Sequence, residues 1–289
     1  MKIALGTVQL GLAHGIANQD GQVSREEAKT IISLARSLGV DTLDTAIDYG
    51  TSETLLGNLG VKDYRIITKI PSLDQSSGEV YSQIREHVLK SLRNMKIPKL
   101  YGLLLHRPDE ILTPIGPAIW RALNALKEQD LVEKIGYSIY SPGQLDAIYG
   151  SYPADIVQAP YNVVDRRICS SGWLEKLNTK GVEVHVRSVF LQGLLLMSSN
   201  KRPKKFNEWS NLWNSWEHWL KLNSYTPLEG AIKFVLSNKH ISRVVVGVDN
   251  ANQLMEIIEA TKADSPPIYP QEFSSECERL INPLNWDFL

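Results

Sequence analysis

Eight short apolar runs, each followed by a stretch of helical periodicity, constrain this chain more than any other feature it carries. The runs fall at 3–7, 40–46, 64–70, 100–106, 134–138, 155–158, 182–188 and 243–247. They are nearly continuous in apolar residues rather than alternating, the pattern of parallel strands buried on both faces. Ser24-Arg25-Glu26-Glu27 fits a capping box, after which Ala28, Ile31, Ile32, Ala35 and Leu38 recur at helical spacing until Gly39. Further helices are expected near 51–59, 77–95, 114–130, from Ser141-Pro142, near 166–180, from Thr226-Pro227 and over about 250–262. An open doubly wound sheet shares this alternation, but eight units is the number that closes a barrel. No linker or composition shift divides the 289 residues, so 1–289 are read as one α/β domain, a (β/α)8 TIM barrel.

One segment breaks the rhythm. Residues 191–225 form a long insertion between the seventh strand and the seventh helix, with Trp209, Trp213, Trp216 and Trp219 on an expected helix. Trp209, Trp213, Trp216 and Leu220 share a face at helical spacing, which suits packing onto the barrel. The other reading is an aromatic wall or substrate lid, because long βα loops at a barrel's C-terminal face commonly shape specificity.

Charge and cysteine usage narrow the function classes. With 43% hydrophobic and 22% charged residues the chain has a globular balance, and its formal net charge of -1 offers no broad attraction for nucleic acid. The cluster Lys201-Arg202-Pro203-Lys204-Lys205 is too short to change that and reads as a solvated loop. No run reaches membrane-spanning length, and the N-terminus lacks the apolar core of a signal peptide. Cys169 and Cys277 stand far apart without metal-site spacing, so a reducing, cytoplasmic setting is expected. The absence of a His-x-His pair or a carboxylate cluster at the strand ends argues against a catalytic metal.

Three successive strand patterns end in different ionisable groups: the second at Asp44, the third at Lys69, the fourth at His106. Tyr49 follows Asp44 by five residues, just before Gly50 and a new helix. Alone, each has an ordinary reading: a helix cap, a solvated lysine, a packed tyrosine. Together they suit one polar site at the C-terminal ends of parallel strands. An ammonium beside a phenol favours the ionised form and makes the hydroxyl a better proton donor. Asp44 would hold that ammonium, and His106 could orient a carbonyl oxygen by a hydrogen bond. None of the four is a hydride source, so a redox reaction would need a nicotinamide.

The stretches DTAIDYGTSETLLG, ITK and LLLH resemble the aldo-keto reductase family, whose signature runs Asp-Thr-Ala, two residues, Tyr-Gly, then Ser-Glu and Leu-Gly. IALGT, GYSIY, VQAPYNVVDRR, VRSVFLQGLLL and VVVGVDNANQLMEII follow in the family's order, so the resemblance covers nearly the whole chain. It implies a (β/α)8 barrel that reduces aldehydes or ketones with NADPH, less often NADH, and without a metal. By this resemblance Tyr49 is the general acid, Lys69 and Asp44 tune it, and His106 positions the carbonyl. Ser138 and Gln158 match residues that hold the nicotinamide carboxamide, and Gly6-Thr7 matches a loop against the cofactor. The stretch from Ser188 through Phe190 and Gln192 to Gly193 corresponds to the pyrophosphate-side loop, and the region from Gly247 to Gln253 to the adenosine end.

Three positions depart from the commonest family pattern. Ile139 follows Ser138 where many members have asparagine. Arg187 stands where an aromatic often stacks on the nicotinamide, and is expected to stack by its guanidinium plane or to reach a phosphate. Gln253 replaces a frequent arginine, and no Lys or Arg lies between Val244 and Glu259, which runs against the NADPH that the resemblance otherwise favours. The leading expectation is a carbonyl reductase acting on a small molecule. Its alternatives are a nicotinamide-binding regulatory protein on the same fold and a lyase or isomerase using Lys69 as a Schiff base. Substrate and oligomeric state are not set by these motifs.

Overall fold

In a computed structural model, which describes residues 1–18, 20–74, 78–262 and 268–288, eight parallel strands close into a barrel. The strands are β1 Ile3–Gly6, β2 Thr42–Asp44, β3 Arg65–Ile70, β4 Leu100–Leu105, β5 Val132–Ser138, β6 Ile156–Pro160, β7 Glu183–Arg187 and β8 Arg243–Gly247. Each pairs with the next, and β8 returns to β1 with Gly6 opposite Gly247. Gly6 also lies opposite Asp44 of β2, and Ser138 of β5 opposite Gln158 of β6.

The outer ring is α1 Arg25–Ser37, α2 Ser52–Leu59, α3 Val80–Met95, α4 Gly116–Glu128, α5 Pro142–Ile148, α6 Trp173–Thr179, α7 Pro227–Ser237 and α8 Ala251–Thr261. Capping residues fix several starts. Ser141 with Gln144 and Thr226 with Glu229 form complete capping boxes, each followed by a proline in the first turn. The box expected at Ser24 is only half formed: Ser24 accepts from the Glu27 N–H, but the Glu27 carboxylate turns instead to the Ala251 N–H at the start of α8. The expected helix over 166–180 is broken, because Gly172 takes the left-handed conformation and separates a short turn at Arg167–Ser170 from α6. Residue 77, where α3 was expected to start, lies outside the described residues.

The core is a shell between strands and helices, with Ile67, Leu104 and Ile156 forming a separate apolar cluster of their own. Gly102 leaves them space, since a Cβ there would lie 2.9 Å from Ile156. Tyr101, Lys134 and His185 converge on the Glu183 carboxylate from β4, β5 and β7. The Ser210–Leu222 helix buries Trp213, Trp216 and Trp219, with Trp216 stacked on Trp219 at 5.5 Å and both edge-on to Phe273. Their indole contacts are therefore packing contacts. Among the described residues, no helix is long and apolar enough to cross a membrane.

Candidate active site

Strand ends build one cavity of about 640 Å³ at the C-terminal face of the barrel. Parallel strands in register deliver one inward residue each, which is why Gly6, Asp44, Lys69, Ser138, Gln158, Arg187 and Gly247 reach it from seven strands and His106 from just beyond β4. Tyr49 enters from the turn after β2. Thr7, Ser188, Phe190, Gln192, Gly193 and Gln253 line the remaining wall.

The centre of the site is a buried ion pair. Lys69 Nζ lies 2.6 Å from Asp44 Oδ1 and donates a second bond, 2.8 Å, to the Thr45 carbonyl. Its side chain is 1% exposed and that of Asp44 5%, so the pair is shielded from water. Burial alone would lower the Lys69 pKa; attraction from Asp44, then from Tyr49, outweighs it and keeps the lysine above its ordinary value. The ammonium stands 5.2 Å from the centroid of the Tyr49 ring, with one of its three N–H groups beyond the two bonds above. The other oxygen of Asp44 accepts a 2.7 Å bond from Gln158 Nε2, and Gln158 Oε1 in turn accepts from Ser138 at 3.2 Å. A line of four side chains thus runs from β5 across β6 and β2 to β3.

Tyr49 is placed by backbone. A Cβ on Gly11 would lie 1.8 Å from the Tyr49 carbonyl, and one on Gly50, at φ +54, would lie 2.5 Å from the Gly11 carbonyl. The two segments therefore touch main chain to main chain, an approach only glycine permits. Thr7 supports the same turn: its hydroxyl donates to the Asp44 carbonyl and receives a bond from Ser52.

His106 stands edge-on to Tyr49, ring centroids 6.0 Å apart at 81°. Its Nδ1 is 3.6 Å from Asp48 Oδ2. Burial, then the neighbouring Lys69 charge, lowers the His106 pKa to about 4 against the opposing pull of Asp48. The imidazole is accordingly neutral near pH 7, able to give or take one hydrogen bond at each nitrogen according to tautomer.

Arg187 lies over Tyr140, its guanidinium 4.4 Å from the ring centroid, and donates to the Ile139 carbonyl and the Ser188 hydroxyl. After it the chain turns through positive φ at Ser188, Leu191, Gln192 and Gly193. Among the described residues, the N–H groups of Ser188, Phe190 and Gln192 find no protein acceptor, so this cavity-lining loop presents donors suited to phosphate oxygens. Among the described residues, Gln9 Oε1, also lining the cavity, is buried without a hydrogen-bond partner, so a donor from a ligand would satisfy it. A polar, elongated molecule with amide or hydroxyl donors and a phosphate fits this donor and acceptor set, as a nicotinamide dinucleotide does. The cavity size is within the range of small-molecule and cofactor sites.

Several lining residues escape a reading by motif. Asp48 sits inside the quoted signature but carries no fixed letter in it. Gln9, Asn18, Tyr140, Asp249 and Glu256 come from loops or the outer helix, where no periodicity points inward. Gly11 and Gly50 are legible only once the two backbones are seen in contact. Among the described residues no group of acidic, histidine and cysteine side chains is arranged to hold a metal ion. The insertion tryptophans line none of the cavity.

A model of the aldo/keto reductase family matches residues 2–273. The chain is 26% identical to L-galactose dehydrogenase of Arabidopsis thaliana over 294 residues, covering 91% of this chain and 87% of the relative. It is 26% identical to aldo-keto reductase YhdN of Bacillus subtilis over 178 residues; that match spans 58% of this chain and 52%, about half, of the relative's length. Among solved structures, the holo form of aldo-keto reductase AKR11C1 from Bacillus halodurans superposes with a TM-score of 0.75 at 20% identity, covering 96% of this chain and 95% of that one. At that identity the likeness is one of fold.

Proposed function

The chain belongs to the aldo/keto reductase family, and from that premise we propose that it reduces an aldehyde or ketone to an alcohol with a nicotinamide dinucleotide, Tyr49 being the general acid. The observation that carries this reading is the shielded Asp44–Lys69 pair, with its ammonium 5.2 Å from the Tyr49 ring and His106 edge-on to that same ring.

Ser138 and Gln158 would hold the carboxamide, the donors of the loop from Ser188 to Gly193 would meet the phosphates, and Gly6, Thr7, Gly247 and Gln253 would wall the cofactor. When bound, the reduced nicotinamide supplies the hydride. The protein's own task is the proton. A carbonyl oxygen facing Tyr49 gains negative charge as its carbon is reduced, and the Tyr49 hydroxyl gives its proton to that oxygen. The Lys69 ammonium offsets the phenolate charge left behind, and Asp44, paired at 2.6 Å, keeps the ammonium in place. His106, neutral at working pH, fixes the carbonyl's direction by a hydrogen bond. Solvent returns the proton to Tyr49 through the open side of the cavity.

The raised Lys69 pKa speaks against Schiff-base chemistry, which needs a free amine. The free thiols Cys169 and Cys277 suit the reducing cytoplasm proposed as its location. The test is Tyr49→Phe. Carbonyl reduction should fall by a factor on the order of 10² to 10⁴, the usual worth of a general acid, while nucleotide affinity read by tryptophan fluorescence stays within about twofold. Activity near that of the unaltered protein would overturn the assignment. Tight nucleotide binding with no turnover on a panel of carbonyls would instead favour a regulatory protein.

A further inference from the structure

We propose that this cavity selects NADH over NADPH, because its wall presents carboxylates beside a helix N-terminus that the chain's own side chains, one of them a carboxylate, already partly occupy. The proposal rests on the nicotinamide-dependent reading above. NADPH differs from NADH by one phosphate monoester on the adenosine ribose, which adds close to two negative charges at neutral pH. That group needs either a free cation or unpaired N–H donors. Among the described residues, the unpaired N–H donors identified in the cavity wall belong to the loop from Ser188 to Gly193, which the pyrophosphate of either nucleotide would take.

The charged side chains lining it are the carboxylates of Asp44, Asp48, Asp249 and Glu256 against the cations Lys69 and Arg187. Lys69 is neutralised by Asp44 at 2.6 Å, and Arg187, which keeps its charge, is tied to the Ile139 carbonyl and the Ser188 hydroxyl and lies over Tyr140. The site therefore has a surplus of negative charge before any cofactor arrives. The pyrophosphate common to both nucleotides can use the backbone donors of the loop from Ser188 to Gly193. A third phosphate would have to find partners elsewhere.

The start of α8 is a second anion site to weigh, and three of its N–H groups are already occupied from within. The Asp249 N–H donates to Gln253 Oε1 at 2.8 Å, the Ala251 N–H to Glu27 Oε1 at 2.6 Å, and the Gln253 N–H to Asn250 Oδ1 at 2.9 Å. Glu27 reaches there from α1 and brings a full negative charge to the helix end, where a phosphate would otherwise gain from the helix dipole. Asp249 lines the cavity beside this partly occupied end, fixed by a 2.9 Å bond from Asn18 Nδ2 to its Oδ1. A carboxylate is an acceptor only, so it can take a hydrogen bond from a ribose 2′-hydroxyl but repels a 2′-phosphate. NADH supplies that hydroxyl.

Parallel titrations with NADH and NADPH, read by quenching of tryptophan fluorescence, test this without turnover. NADH should bind at least about tenfold more tightly, and Asp249→Asn, which keeps the shape and the contact with Asn18, should narrow the ratio by strengthening NADPH. Equal affinity, or tighter NADPH, would overturn the selection for NADH while leaving the reductase reading intact. A preference for NADH that Asp249→Asn leaves unchanged would remove Asp249 from the explanation and overturn the proposal as stated. Failure of both nucleotides to bind would overturn the underlying reading itself.

Discussion

Gln158 Nε2 donates a 2.7 Å hydrogen bond to Asp44 Oδ2, so the carboxylate that holds Lys69 is itself held from the middle of β6, 114 residues further along the chain. The resemblance assigns Gln158 to the cofactor and Asp44 to proton transfer; the bond makes them one unit. Replacing Gln158 by methionine keeps the volume roughly constant and leaves a buried carboxylate oxygen without its donor. Loss of about 1–3 kcal/mol in stability is expected from denaturant unfolding, together with a fall in turnover. An unchanged midpoint would mean that Gln158 does not support the Asp44–Lys69 pair.

Gly11→Ala should damage turnover without removing any functional group. The added Cβ would lie 1.8 Å from the Tyr49 carbonyl and 2.8 Å from the Ser52 N–H nitrogen, so the Tyr49 turn must shift. A displacement of order 1 Å at a reacting group costs about 10²-fold in rate. Gly150→Ala, where a Cβ meets nothing within 4 Å, is the control. Steady-state rates and circular dichroism on the pair would check this; unchanged turnover in Gly11→Ala would remove the main-chain contact as the device that sets Tyr49.

His106 should remain neutral until about pH 4. Its folded pKa lies below the unfolded value of about 6.5, so between those values the unfolded chain binds the proton that the native chain refuses. The contribution of His106 to stability is therefore full above about pH 6.5 and is lost progressively as pH falls to about 4. His106→Gln should flatten the stability profile in that window. Nuclear magnetic resonance titration of the imidazole gives the direct reading, and a midpoint above 6 would contradict the burial and Lys69 effects. Asp48→Asn should lower the midpoint further, because the Asp48 carboxylate pulls it upward.

Trp216→Ala separates packing from a role at the cavity. The indole is 1% exposed, stacked on Trp219, and donates to the Leu195 carbonyl at 3.2 Å. A loss of about 3–5 kcal/mol is expected from calorimetry or urea unfolding, with nucleotide affinity in the surviving folded fraction unchanged. Little change in stability alongside an altered choice of carbonyl substrate would restore the lid reading.

The order of strands and helices was legible in the residues because each element carries its own local signal. Near-continuous apolar runs mark strands covered on both faces, and Ser141-Pro142 and Thr226-Pro227 announce helix starts through side-chain caps. Asp44, Lys69 and His106 were legible for a related reason: parallel strands in register bring their C-terminal ends to one face, so position along the chain fixes position in space. What remained hidden depends on partners distant in sequence. That Glu27 leaves its own capping box to close α8, that Gln158 answers Asp44, and that Gly11 and Gly50 bring two backbones into contact are pairings between loops and faces with no shared period. The tryptophan stripe shows the same limit: helical spacing gave it a common face, but only the closed barrel and the segment around Phe273 decided that this face turns to packing rather than to the cavity. Local chemistry sets which elements form, whereas the sharing of hydrogen bonds and volume between them is settled only when the barrel closes.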